Sequence, residues 1–237
     1  MTAPARRIQL QENLNRTRDA IAAACADAGR DPGSVRLIVV TKTFPAADAA
    51  ALVELGQADL GENRHQEAAP KAAALAELGL EPVWHFVGQL QRNKVPSAVE
   101  YADWVHSVDR PKLAAALEHA RKMSLRVGNL NVLLQVSLDG DTSRGGAPIA
   151  ELEPLAEQIA GYHCLDLKGV MAVAPLGWEP AKAFALLREC SEAVRRVDPA
   201  ATEISAGMSG DFREAVACGA TMVRLGRNVL GEREAMA

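Results

Sequence analysis

The feature that most constrains this chain is a repeated change of hydrophobic period. Short β-branched runs alternate with longer alanine-rich stretches of helical spacing. Eight runs read as strands, at residues 35–41, 58–62, 83–88, 104–108, 132–138, 167–173, 203–206 and 222–225. The first, VRLIVVT, is nearly all apolar, as suits a strand buried on both faces of a parallel sheet. Helices are predicted over 46–55, 66–78, 91–99, 111–126, 149–160, 180–196 and 212–218. A further helix is predicted within residues 1–30, its apolar face running from Ile8 through Leu10, Leu14, Ala20, Ile21 and Ala24. Strand and helix alternate eight times with no Gly- or Pro-rich linker. That predicts an α/β fold, a single (β/α)8 TIM-type barrel over residues 1–237 with an extra N-terminal helix packed on it. A doubly wound open sheet is the alternative.

Composition narrows the function classes. The chain has 237 residues, enough for one large barrel. With 26 Lys+Arg against 30 Asp+Glu, the formal charge is −4, which argues against a nucleic-acid partner. No apolar run approaches the roughly 20 residues that cross a bilayer, so no membrane partner is expected. Arg6 and Arg7 are followed by no apolar stretch, so the N-terminus does not read as a signal peptide. Cys25, Cys164, Cys190 and Cys218 form no CxxC pair and read as reduced thiols of a cytoplasmic protein. The five histidines show no metal-ligand spacing. A monomer is expected.

In a barrel, working residues sit at the C-terminal ends of strands. Lys42 directly follows the first strand and shares a face with Ile38 and Val40. It is either a snorkelling surface lysine or an amine able to form a Schiff base. The second strand ends in Gly61-Glu62-Asn63, which offers either a neutral donor and acceptor or a helix cap. His85, on an apolar strand, reads as a core histidine. The loop 139–146, with Arg144, is a lid over the mouth or a solvated turn. After the seventh strand comes Ser205-Ala206-Gly207-Met208-Ser209-Gly210, where Ser209 is a candidate N-cap. After the eighth comes Arg224-Leu225-Gly226-Arg227. These last two turns are the usual phosphate cradle of barrels. A lysine and a phosphate cradle facing one cavity suit pyridoxal phosphate, or a Schiff-base aldolase acting on a phosphorylated sugar.

Several motifs in order carry a more specific signal. VTKTFP at 40–45, LGEN at 60–63, WHFVGQLQRNK at 84–94, GVM at 169–171, GMS at 207–209 and MVRLG at 222–226 together resemble the pyridoxal phosphate homeostasis protein family. Those proteins are relatives of the alanine racemase N-terminal barrel. The resemblance implies pyridoxal 5'-phosphate bound as an imine to Lys42. It implies Arg224 at the pyridine nitrogen with Ser205 orienting it, and Asn63 beside the ring. Met208 and Ser209, with the backbone of Gly226 and Arg227, would hold the phosphate. Arg227 stands where the family usually has Thr, so a backbone donor survives there and a hydroxyl does not. Ala206 replaces a frequent Met. Arg144 replaces a loop lysine, and it stays protonated.

Two functional classes follow. One is a holder of pyridoxal phosphate that acts in intracellular homeostasis or delivery, possible recipients being apo enzymes that need it. The other is a racemase-like enzyme acting on amino acids. A racemase draws a second acid/base tyrosine from elsewhere, and neither Tyr101 nor Tyr162 lies at a predicted strand end. Arg224 at the ring nitrogen would also weaken the ring as an electron sink. Both points favour the holder, with no catalytic residue expected.

Overall fold

The apolar runs close on themselves. The computed structural model describes residues 3–232. A helix α1 (Pro4–Asp27) precedes strand β1 (Arg36–Val40). There follow α2 (Ala46–Glu54), β2 (Asp59–Glu62), α3 (His65–Glu77), β3 (Val83–Phe86), α4 (Val95–Ala98) and β4 (Trp104–Val108). Then come α5 (Pro111–Met123), β5 (Leu130–Ser137), β6 (Ala147–Pro148), α6 (Leu152–Ala160) and β7 (Leu165–Met171). The last elements are α7 (Pro180–Val197), β8 (Glu203–Ser205), α8 (Phe212–Ala217), β9 (Met222–Leu225) and α9 (Arg227–Leu230).

All pairings are parallel, and eight strands form a closed ring in the order β1-β2-β3-β4-β5-β7-β8-β9. Sequential neighbours pair throughout, so the fold is the predicted barrel and not the open sheet. The two-residue β6 is an addition on β5, pairing with Val136 and Ser137. Its sequence lies in a polar loop and has no strand periodicity to reveal it.

Most element bounds differ from the sequence reading by one or two residues, and the larger differences have local causes. The predicted helix over 91–99 splits into a 3-10 turn, Arg92–Lys94, and the short α4. Pro96, in the first turn of α4, has no N–H to give the Arg92 carbonyl, which instead accepts the Val95 N–H in the 3-10 turn. The stretch 149–160 likewise opens as a 3-10 turn, Ile149–Glu151. In α1 the buried face is Leu10, Leu14, Thr17, Ile21, Ala24 and Cys25. Ile8 is 60% exposed, so the apolar face begins at Leu10, not at Ile8. That face packs α1 against α2, α8 and α9.

The core has three parts. Two large apolar clusters lie between the sheet and the helices outside it. A small one fills the barrel: Ile38, Trp104, Leu133, Met171 and Met222. Side chains alternate along each strand, so the residues two positions on from Trp104 and Met222 also face inward. These are His106 and Arg224, both buried. The interior is therefore apolar at one level and polar at the next. Among the described residues no helix is long and apolar enough to cross a membrane.

Closure between β7 and β8 depends on Gly169. Its φ is 146°, and an added Cβ would lie 1.9 Å from the Glu203 carbonyl oxygen. Gly169→Ala is expected to cost about 3 kcal/mol or more of stability, measured by urea unfolding. A loss below about 1 kcal/mol would mean that the two strands can part without disturbing the barrel.

Candidate functional site

Lys42 sits in a tight turn just beyond β1. The Phe44 N–H donates to the Thr41 carbonyl at 3.1 Å, and Thr43 takes φ 69°. A β-branched residue at positive φ is strained, and such backbone persists only where its surroundings hold it. Here the Thr43 N–H donates to Glu67 Oε2 at 2.9 Å, and the Thr43 hydroxyl to the Lys42 carbonyl at 2.5 Å. Lys42 is half-buried. The register of β1 on β2 ends with Val40 opposite Gly61, and Lys42 and Asn63 each follow that pair by two residues. A Cβ on Gly61 would touch Ile38 Cγ2 and Val40 Cγ2 at 3.1 and 3.2 Å. Ile38 belongs to the interior cluster, so Val40 and the end of β1 face the barrel mouth.

A buried ion pair braces this turn. Lys71, on α3, pairs with Glu62 and donates to the Thr41 carbonyl at 2.8 Å. The Thr41 hydroxyl donates to the same carboxylate at 2.6 Å. Lys71 and Glu62 are 6% and 1% exposed. Glu62 Oε1 takes both contacts, and Oε2 has no partner. Sequence reasoning took GEN for its asparagine and missed the pair. The signal available was an i to i+9 Glu-Lys spacing across a strand and a helix, which has no periodic signature.

Asn63 follows Glu62, is half-buried, and makes no hydrogen bond to another described residue. A polar cavity of ≈ 480 Å³ opens beside it, with Phe86 and Leu90 among its walls and His65, Gln89 and Lys94 around them.

On β9, the strand next to β1, Arg224 lies opposite Ile38 and projects into the interior. Its Nη1 donates to Ser205 Oγ at 2.7 Å and its Nη2 to the Ala172 carbonyl at 2.9 Å. These contacts engage two of the five guanidinium N–H groups. Burial lowers its pKa to about 10, with Asp211 acting in the other direction, so it is charged at neutral pH. No carboxylate lies within ion-pair distance of it among the described residues.

The loop from Ala206 to Asp211 lies against this strand. The Arg224 N–H donates to the Gly207 carbonyl at 3.0 Å. Gly207 has φ 88°, and a Cβ there would sit 2.8 Å from Ala215 Cβ, so glycine lets the loop lie on α8. The N-cap of α8 is Asp211, not Ser209, and the helix has only six residues. Asp211 Oδ1 accepts from the Met208 N–H at 2.6 Å, which engages the backbone donor of Met208 inside the loop. Ser209 and Gly210 make no hydrogen bond to another described residue. Gly226 and Arg227 open the single turn α9, where the first N–H groups have no helical acceptor. The loop 139–146 is tied to itself. Arg144 pairs with Asp139 and Asp141, and Asp141 Oδ1 accepts from the Ser143 N–H at 3.0 Å.

The brace under Lys42 can be tested directly. Removing one partner of a buried pair strands the other charge and costs about 3–5 kcal/mol. Lys71→Met is expected to fall in that range. Adding Glu62→Gln to it should recover part of the loss, read as a coupling energy in a double-mutant cycle by urea unfolding. Strict additivity would show that the pair does not act as a unit.

The comparisons with known proteins agree with this fold. The alanine racemase N-terminal domain family matches residues 10–234. The pyridoxal phosphate homeostasis protein of Mycobacterium leprae is 42% identical over 240 residues, 95% of this chain and 93% of the relative. Its namesake in Escherichia coli K12 is 37% identical over 229 residues, 95% and 97% of the two chains. PipY of Synechococcus elongatus, solved without and with PLP bound, is 38% identical and covers 89% of this chain and 100% of its own. Its TM-scores are 0.79 and 0.77. Alanine racemase from Corynebacterium glutamicum shares the fold, with 15% identity, a TM-score of 0.71, and coverage of 94% of this chain and 60% of its own. The chain belongs to the alanine racemase N-terminal domain family, among its pyridoxal phosphate homeostasis proteins.

Proposed function

We propose that this protein holds pyridoxal 5'-phosphate on Lys42 and serves its intracellular homeostasis and delivery, with little or no catalysis. The observation that carries the reading is Arg224, a buried cation with no carboxylate partner at the floor of the barrel mouth. Its natural complement is a neutral acceptor such as a pyridine nitrogen. The residues around it fit the rest of the molecule. Ser209, Gly210 and the N–H groups opening α9 would be donors for a phosphate, and Asn63 would lie beside the ring. Met208 would contribute its backbone N–H once Asp211 releases it. Ser205 acts through Arg224. Lys42 would be the amine that holds the cofactor through its aldehyde.

When bound, the cofactor supplies an electrophilic aldehyde and an electron-withdrawing ring. This chain's residues restrain the second property. Arg224 would face the ring nitrogen as a donor and so disfavour a proton on it. A two-sided proton exchange at a substrate carbon needs a second base facing Lys42. Tyr162 is engaged on α6, where its hydroxyl accepts from Gln158 at 2.6 Å. Tyr101 is partly buried, and burial with the nearby Glu62 carboxylate raises its pKa, the wrong direction for a base. Four unpaired cysteines suit a cytoplasmic location, and possible recipients are apo enzymes that require the cofactor.

Reconstitution with pyridoxal phosphate should give a yellow protein. Borohydride should then fix the cofactor to the peptide containing Lys42, seen by mass spectrometry. Labelling confined to Lys71 or Lys94 would overturn the assignment. The loaded protein should reactivate an apo enzyme, and turnover of any amino acid near ~1 s⁻¹ would refute the holder reading.

Ser209→Ala tests the phosphate cradle. A hydrogen bond to a charged group is worth ~1.5–3 kcal/mol, so cofactor affinity should fall roughly tenfold to a hundredfold with the fold intact. Pyridoxal without its phosphate should bind the wild-type protein much less well. Equal affinity for the two would remove the phosphate site.

A further inference from the structure

Beneath Arg224 the barrel interior holds a file of polar side chains. Arg224 Nη1 donates to Ser205 Oγ at 2.7 Å. Ser205 Oγ lies 3.0 Å from His106 Nδ1, and His106 Nε2 lies 2.9 Å from His85 Nδ1. His85 Nε2 lies 2.9 Å from Asp59 Oδ1, at the start of β2. Ser205, His106 and His85 are each at most 1% exposed. None of these polar atoms lacks a partner.

The direction of every bond in the file follows from its two ends. A guanidinium has donors only, so Ser205 Oγ must accept from it. The hydroxyl hydrogen of Ser205 is then available to His106 Nδ1, which accepts. His106 therefore carries its proton on Nε2 and donates to His85 Nδ1. That puts the His85 proton on Nε2, where it donates to Asp59. Counting from the other end gives the same answer, because an ionised carboxylate only accepts. The far end is reachable by water. Asp59 is half-buried and borders a cavity of ≈ 270 Å³ on the N-terminal side of the barrel, which Arg18 and Gln57 also line.

We propose that Asp59, His85, His106 and Ser205 form a one-directional hydrogen-bond chain through the barrel that positions Arg224. Toward the cofactor, its role rests on the function proposed above: it presents Arg224 to the ring nitrogen as a fixed donor. All four are positioning residues.

The chain works only while both imidazoles are neutral. A proton on His106 Nδ1 would turn the Ser205 hydroxyl hydrogen away and set a second cation beside Arg224. The groups facing the two rings are Asp59 on β2, Asp103 before β4, Arg36 on β1 and Arg224 on β9. Burial lowers both pKa values from 6.5. For His106 the neighbouring His85, Arg224 and Arg36 push in the same direction, and the value is well below 6.5. For His85, Asp59 and Asp103 oppose the shift. Trp104 stacks on His85 with ring centroids 5.5 Å apart and fixes its plane.

The experiment uses substitutions at Asp59, on the far side of the barrel from the cofactor. Protein without cofactor is labelled with ¹⁵N at histidine and arginine and observed by NMR at neutral pH. In the wild type, His85 and His106 should both be Nε2–H tautomers, and the Arg224 Nη protons should exchange slowly. Asp59→Ala should mix the tautomers at both rings and speed exchange at Arg224. Asp59→Asn, which can still accept through Oδ1, should preserve the wild-type pattern. With pyridoxal phosphate added, Asp59→Ala should shift the visible band and weaken affinity several-fold, and Asp59→Asn should do neither. An Nδ1–H tautomer at either ring in the wild type overturns the chain. So does an Asp59→Ala protein with unchanged histidine and Arg224 signals. Altered signals with wild-type affinity and absorption overturn the role toward the cofactor. Intact tautomers in a wild-type protein that takes up no pyridoxal phosphate would refute the function reading and leave the hold on Arg224 standing.

Discussion

A guanidinium that stays charged inside a closed barrel is the constraint on which the site depends. Taking a cation out of water costs several kcal/mol even after relaxation, and burial lowers the Arg224 pKa to about 10. The cost is offset by oriented dipoles. Ser205 Oγ comes from β8 and the Ala172 carbonyl from the residue after β7. Both acceptors reach Arg224 only because β7, β8 and β9 are neighbours, with Met171 opposite Ser205 and Ser205 opposite Met222. The close approach at Gly169 is part of that registration. Strand order, register and one glycine together decide whether the cation can be tolerated at all.

Much of this was legible in the sequence, for reasons that differ between residues. The barrel was readable because parallel strands buried on both faces are nearly pure apolar runs, and β4 and β9 fall on the runs that predicted them. Arg224 and Lys42 stood out because each is a charge at the end of such a run. His85 was read as a core histidine, and it is buried, but its hydrogen-bond partners come from strands 21 and 26 residues away and leave no local pattern. His106 and Asp59 carried no signal of their own. Only the inward alternation along β4, once Trp104 is known to face in, marks His106 as an interior polar group. The cap at Asp211 was missed because Ser209 is an equally good capping residue. Helix α8 nevertheless starts after Asp211, whose side chain makes no cap bond to the helix and turns back to the Met208 N–H.

The two buried cations of the site are handled in opposite ways, and the contrast separates structure from function. Lys71 has a carboxylate against it and a carbonyl beside it, so its charge is answered within the protein. What it achieves is local: it ties α3 to the ends of β1 and β2, and so fixes the strained turn that carries Lys42. Arg224 receives two neutral acceptors in contact, and the nearest charge that favours it, Asp211 on the neighbouring loop, acts only from beyond ion-pair distance. Neutral dipoles are enough to hold a guanidinium in place but leave its field uncancelled at the mouth. A carboxylate in direct contact with Arg224 would quench that field, whereas Asp211 stays turned to the Met208 N–H. Acceptors with no net charge therefore suit a site meant to receive an anionic ligand with a basic ring nitrogen. On this argument the polar interior has a reason to contain histidines and a serine between Arg224 and Asp59. They place the only carboxylate of the file at the opposite end of the barrel, where it orients the chain without lying beside the ligand.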